Sequence, residues 1–228
     1  MNSTPEKITQ LALLGFSPNV ISMVMDNLYS NDYQKELWVI NNELKEISDI
    51  QNIWHPKIKV RFMNISNEKE VQEFITNTKA SVFLGVYKVN TKLNVYEKYG
   101  TILKNSPNVI HCNSEISATT KLGIGNMINT GVVIAGHSEI GNFCSINRAS
   151  SIGHHTKIGD FCNINPGATV CGSIQIEDNV IIGAGATVID GIRIGKNSII
   201  GAGSVVVQDI PANSLVMGVP GKVIKYLE

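Results

Sequence analysis

"SIGHHTKIGDFCNINPGATVCG", residues 151–172, carries a branched aliphatic at every sixth position: Ile152, Ile158, Ile164 and Val170. The spacing continues in both directions without a slip. Backward it reaches Ile146, Ile140, Ile134, Ile128, Leu122 and Ile116. Forward it reaches Ile176, Ile182, Val188, Ile194, Ile200 and Val206. A six-residue period sustained over sixteen positions is the signature of a hexapeptide-repeat parallel β-helix. Strand side chains alternate, so the residue two before each aliphatic also points inward. Those positions hold Ser138, Cys144, Ser150, Thr156, Cys162, Ala168 and similar small residues, as a narrow prism interior requires. Turn-forming residues follow the aliphatics at Gly141-Asn142, Gly159-Asp160, Glu177-Asp178-Asn179 and Gly195-Lys196-Asn197.

Three hexads make one triangular coil, so residues eighteen apart stack. Cys144 and Cys162 then stack inside as small apolar fillers. With no CxxC pair among the four cysteines, a zinc knuckle or redox motif is not indicated, and free thiols are expected. One aliphatic per hexad returns less free energy than ordering six residues costs. Such a prism therefore calls for capped ends and self-association.

The same stacking places the histidines. His154 and His155 follow Ile152 by two and three residues, which puts them at a corner, outside the core. His137 lies one coil before His155 in the same column. His154 stacks between Gly136 and Gly172, with an open slot on either side where a substrate backbone or thioester could approach. Three readings stay open at this point. One is a solvated histidine ladder. Another is a metal set of His137, His154 and His155, although stacking does not aim three imidazoles at one point and no carboxylate completes the set. The third is a general base, the role for which imidazole is best poised near neutral pH.

Residues 1–107 follow a different pattern. Leu11–Leu14, Leu37–Ile40, Ile58–Phe62 and Ser81–Val86 read as strands. Val20, Ile21, Val24, Met25 and Leu28 recur at helical spacing, and helical patterns also fall at about 68–77 and 90–99. Met23 and Met25 read as core or helix surface. The alternation predicts a small parallel sheet with helices on its faces. The expected organisation is thus an α/β unit over 1–107 and a β-helix over 108–228.

Nineteen basic and nineteen acidic residues give zero net charge. That offers no basic face for nucleic acid or an anionic membrane. No apolar run approaches the length of a membrane span. Met1-Asn2-Ser3-Thr4-Pro5-Glu6-Lys7 lacks a signal-peptide layout, so a cytoplasmic location is the expectation.

The opening stretch, together with "IGAGATVIDGIRIGKNSIIGAGSVVVQDIPANSLVMGVPGKVI" (182–224) and the preceding α/β unit, resembles the left-handed β-helix acetyltransferases. The nearest branch acts on nucleotide-linked amino sugars and on sialic acid. The resemblance is strong over 108–228 and weak over 1–107. It implies a homotrimer with active sites at the seams and acetyl-CoA lying along a seam, without a metal. It implies His154 as the base, and an Asp or Glu next to it that orients the imidazole. Here that neighbour is His155, which can hydrogen-bond His154 but brings no negative charge.

Carried over residue by residue, the resemblance puts Asn163 near the acetyl group and backbone groups of Gly172, Ala184 and Ala202 along the coenzyme. Gly172 is also the candidate oxyanion donor. Gly183-Ala184-Gly185 and Gly201-Ala202-Gly203 stack into a side-chain-poor wall that suits a pantetheine arm. Lys222 and Lys225 are candidates for the coenzyme phosphates. In the α/β unit the family holds a nucleotide at a Gly-rich loop. Here the loop is Gly15-Phe16-Ser17-Pro18-Asn19, with one glycine and a proline that removes a donor. Helix-start amides with Ser17 and Asn19 are left to receive a diphosphate. Asn41 and Asn42 stand where acidic residues are usual.

The implied activity is acetyl-CoA-dependent N-acetylation of a nucleotide-linked amino sugar, a UDP-linked 4-amino-4,6-dideoxy sugar first, in bacterial surface-glycan biosynthesis. The α/β unit would present the sugar amine to His154. The alternatives are O-acetylation of a sialic-acid-type sugar, a zinc-bearing β-helix, or a non-catalytic scaffold.

Overall fold

The computed structural model describes residues 10–15, 17–30, 36–41, 58–65 and 67–228. Met1–Lys7, Phe16 and Asn42, named above, lie outside the described residues. The chain divides into two compact units, residues 1–112 and 113–228. The sequence pattern places the change of period at 107/108.

In the first unit, β1 (Leu11–Leu14), β2 (Glu36–Ile40), β3 (Lys59–Met63) and β4 (Ser81–Leu84) form one parallel sheet in the order β3-β2-β1-β4. β1 is buried along its whole length, which is why its run of Leu and Ala does not alternate with polar residues. Helix α1 (Pro18–Ser30) buries Val20, Ile21, Val24, Met25 and Leu28, the stripe its spacing predicts. Met25 belongs to the core; Met23 is half-buried.

Helix α2 (Glu68–Thr78) starts where Asn67 Oδ1 accepts the Lys69 N–H at 2.8 Å, and stops at Lys79 in the left-handed region. The last helix, α3 (Val89–Leu103), runs further than its sequence pattern, with a kink at Tyr99. β4 stops at Leu84, short of the expected Val86.

The second unit is a left-handed β-helix of two-residue rungs stacked into three parallel sheets. One face stacks Glu115–Ile116, Val133–Ile134, Ser151–Ile152, Thr169–Val170, Thr187–Val188 and Val205–Val206. A second stacks Lys121–Leu122, Glu139–Ile140, Lys157–Ile158, Gln175–Ile176 and Arg193–Ile194. The third stacks Met127–Ile128, Ser145–Ile146, Asn163–Ile164, Ile181–Ile182 and Ile199–Ile200. Partners are eighteen residues apart, as in Ile140 with Ile158.

Every aliphatic of the series from Ile128 to Val206 is buried; Ile116 and Leu122, in the first coil, are half-buried. The final coil is two residues shorter: Ile194 bridges Ile210 and Ile200 pairs with Val216. Ser214–Met217 then pairs antiparallel with Lys222–Tyr226.

The inward small residues are more than fillers. Ser138 Oγ, Ser150 Oγ and Thr156 Oγ1 donate to the carbonyls of Gly153, Asn165 and Cys171 at 2.9, 3.1 and 3.0 Å. The Cys144 and Cys162 thiols do the same to Gly159 and Glu177, both at 3.1 Å. Both cysteines are free, but they act as donors as well as apolar spacers. Among the described residues, no helix is long and apolar enough to cross a membrane.

Candidate active site

From Gly125 to Gly203 each corner of the prism is a two-residue turn whose second residue takes positive φ. Glycine fills that position at 131, 167, 185, 191 and 203, and Asn at 179 and 197. At His137 and His155 it is histidine, with φ of 59° and 58°. The Cβ crowds the following carbonyl oxygen there and makes this backbone costly by about 1–2 kcal/mol.

The three imidazoles are exposed and close. His154 Nδ1 lies 3.1 Å from His155 Nδ1. The His137 and His155 rings stack with centroids 5.0 Å apart, while the His154 ring stands edge-on to His155 at 83°. Among the described residues, no three His, Cys, Asp or Glu side chains converge as a metal site. The Nδ1–Nδ1 contact lets one ring donate and the other accept. If His154 carries its proton on Nδ1 and donates it to His155, its Nε2 keeps a lone pair.

The far edge of the His154 ring lies over Gly172. A Cβ at Gly172 would sit 2.8 Å from His154 Cε1 and 3.0 Å from Nε2, so the ring needs a glycine there. The slot on the Gly172 side is therefore occupied by the imidazole itself. The backbone of Gly172 is already used: its N–H donates to Asp190 Oδ1 at 2.7 Å, and its carbonyl accepts from Gly191 N–H at 3.1 Å. The Gly172 amide, the candidate oxyanion donor and coenzyme contact, is thus engaged within the prism. The competing acceptor, Asp190, stands one coil further on in the same column.

Cys171, beside it, has its thiol pushed up, first by burial and then by the charge of Asp190. Asp190 carried no signal in a residue-by-residue reading; stepping eighteen residues from Gly172 finds it.

Ala184 and Ala202 stand exposed at another corner. The Ala184 carbonyl accepts from Gly203, but among the described residues neither the Ala184 nor the Ala202 N–H has an acceptor. A Cβ at Gly185 or Gly203 would meet nothing within 4 Å. The wall is open, side-chain-poor and supplied with amide donors. Asn163 is 2% exposed and sits on a rung beside buried Ser145. Lys222 and Lys225 are exposed on the terminal hairpin.

In the α/β unit, the sheet order reverses between β1 and β4, where open parallel sheets bind ligands at the carboxyl ends of their strands. Gly15 ends β1 with φ of 102°. Gly85 ends β4, and its N–H donates to Leu14 O at 2.9 Å. A Cβ on Gly85 would lie 2.4 Å from Gly15 O, so this glycine is required for the two strand ends to meet. Sequence reasoning missed it, although a glycine directly after an apolar strand run is a readable signal.

Ser17 is half-buried and Asn19 exposed, both at the start of α1. Asn41 is fully buried, and its side-chain amide donates to Asn64 Oδ1 at 2.9 Å. This hydrogen bond braces the end of β2. Lys92, 2% exposed and 5.9 Å from the Tyr87 ring centroid, is a buried cation that the helical pattern concealed.

Residues 173–208 match the family model described as bacterial transferase hexapeptide (six repeats). No curated protein matches the chain. Among solved structures, PerB from Caulobacter crescentus, in complex with CoA and GDP-perosamine, superposes with a TM-score of 0.80. It is 22% identical, over 98% of this chain and 100% of that one. The acetyltransferase domain of PglB from Neisseria gonorrhoeae, in complex with acetyl coenzyme A, gives 0.79 at 20% identity, over 95% and 99%. WeeI from Acinetobacter baumannii gives 0.74 at 22%, over 95% and 100%. The chain therefore has, over nearly its full length, the fold of these three structures, an α/β unit followed by a left-handed β-helix.

Proposed function

We propose that the protein is an acetyl-CoA-dependent N-acetyltransferase acting on a nucleotide-linked amino sugar. The observation that carries this reading is the His154 imidazole. It is exposed, held at Nδ1 by His155, and has Nε2 directed over side-chain-free Gly172. His154 Nε2 takes a proton from the attacking amine and passes it to the departing thiolate. His155 does through a neutral ring what a carboxylate does elsewhere: it fixes tautomer and orientation. The amide donors of Ala184 and Ala202 receive the pantetheine arm, and Lys222 its phosphates. The end of β1, with Gly15, Ser17 and Asn19, holds the nucleotide diphosphate.

The solved structures named above support the reading through what they bind: CoA with GDP-perosamine in one, acetyl coenzyme A in another. For this chain we put a UDP-linked 4-amino-4,6-dideoxy sugar first, in surface-glycan biosynthesis, with a homotrimer as the working assembly.

The test incubates the protein with acetyl-CoA and a panel of UDP- and GDP-linked amino sugars, with a sialic acid as the hydroxyl acceptor, and follows free-thiol release. Turnover of an amino sugar, lost in His154→Ala, is the expected result. Turnover of the hydroxyl sugar alone would replace the reading by O-acetylation. No turnover, together with no acetyl-CoA binding by calorimetry, would leave a scaffold.

A further inference from the structure

We propose that Asp190 selects an amine acceptor by holding its cationic nitrogen beside His154. The proposal rests on the acetyltransferase reading above and assigns a residue outside it. Three observations meet at one point. His154 and Asp190 flank the same glycine: a Cβ at Gly172 would lie 3.0 Å from His154 Nε2 and 3.2 Å from Asp190 Oδ1, so imidazole and carboxylate approach each other over side-chain-free backbone. The carboxylate and the imidazole do not pair directly and both are exposed, so an amine arriving from solvent meets the two groups together.

Asp190 is exposed, and among the described residues no cation pairs with it. Glu139, by contrast, is paired with Lys121 and Lys157, and Glu177 with Arg193. Asp190 also spends only Oδ1 on the fold, through the Gly172 N–H, which leaves Oδ2 uncommitted. The groups facing His154 are accordingly His155, with His137 stacked behind it, and Asp190. Cys171 lies beside them with its thiol held protonated by burial and by Asp190.

A primary ammonium has donors for both partners. One N–H goes to the Asp190 carboxylate. After one proton is lost to solvent, the nitrogen lone pair attacks the thioester carbon. The C–N bond forms as the C–S bond breaks, His154 Nε2 takes the second amine proton, and the thiolate leaves with that proton as CoA thiol. The nitrogen becomes more positive as it attacks, and the fixed carboxylate favours that charge. A neutral hydroxyl acceptor gains no such ground-state hold. The negative charge absent from position 155 is thus supplied from two coils on, where it meets the substrate.

Asp190→Asn is the discriminating variant, because Asn keeps an Oδ1 acceptor for the Gly172 N–H and removes only the charge. Asp190→Glu restores the charge. Thiol release is followed with acetyl-CoA and a UDP-linked 4-amino-4,6-dideoxyglucose. In Asp190→Asn the KM for the amino sugar is expected to rise about tenfold. The KM for acetyl-CoA and the Tm should hold, and Asp190→Glu should recover most of the loss. Added NaCl should raise the amino-sugar KM of the wild type more than that of Asp190→Asn. An unchanged amino-sugar KM in Asp190→Asn would overturn the assignment and leave the acetyltransferase reading standing. A wild type that acetylates none of the amino sugars in the panel would overturn both.

Discussion

Two corners of the prism solve the same backbone problem differently. At one, each turn is capped by the acidic or amide side chain one coil on. Asn142 Oδ1 accepts from Ile124 N–H, Asp160 Oδ1 from Asn142, and Asp178 Oδ1 from Asp160. That column is a continuous hydrogen-bonded ladder and offers no free chemistry. At the other, the matching column runs Gly136, His154, Gly172, Asp190. The ladder is interrupted by two glycines, an imidazole fills the gap, and only one carboxylate caps. The repeat tolerates the interruption because the rungs on either side, Ile152 with Val170 and Ile158 with Ile176, remain paired. The proposed site is a local withdrawal of capping from a scaffold that is over-specified elsewhere.

The comparison can be broken most severely at the imidazole. His154→Ala should lower kcat about 10²–10⁴-fold, with a much smaller change in acetyl-CoA KM, in a steady-state thiol-release assay. Next is the glycine beneath it. Gly172→Ala puts a methyl 2.8 Å from His154 Cε1 and should cost about 10–100-fold in kcat by displacing the ring.

At the capped corner the same change should act on stability instead. In Gly159→Ala the new methyl meets Asp178 Oδ1 at 2.3 Å and backbone at 2.8 Å. A loss of about 1–3 kcal/mol by denaturant titration, with kcat per folded molecule retained, is the expected outcome. Asp160→Ala, which strips acceptors from the Asn142 N–H and Nδ2, should cost about 2 kcal/mol in the same measurement and leave kcat alone.

The smallest effect concerns Glu177. The hydrogen bond from Arg193, with help from the Lys196 N–H, holds its carboxyl below the usual value of 4.5. A depressed carboxylate stabilises above its unfolded value, and the stabilisation is lost as pH falls through the folded one. Wild type should therefore be slightly more stable than Glu177→Gln at pH 7. The difference should close below pH 4.5, as followed by thermal melting across the acid range.

The prism could be read in the sequence because a period of six fixes both the rungs and, through its triple, the stacking. His154, His155 and His137 fell out of the same arithmetic, and so did the exposed wall at Ala184 and Ala202. Legibility ended where burial decides. Asn163 and Asn41 are polar residues at positions that sequence cannot mark as inside, and both proved covered. It also ended where two residues compete for one partner: the Gly172 amide looked open until Asp190, eighteen positions on, took it. In the α/β unit, strand order was not encoded in any run of residues, so the pairing of Gly15 with Gly85 across the reversal became visible only in three dimensions.

The positive-φ turn residues carry one more implication. Where the chain places a ring at that strained position it does so in successive storeys: His137 under His155, and Phe143 under Phe161 with centroids 5.3 Å apart. Each aromatic is uncomfortable alone and eased by its twin. The twins should therefore mutate as couples. Replacing both members of such a couple with glycine should destabilise less than adding the two single changes suggests.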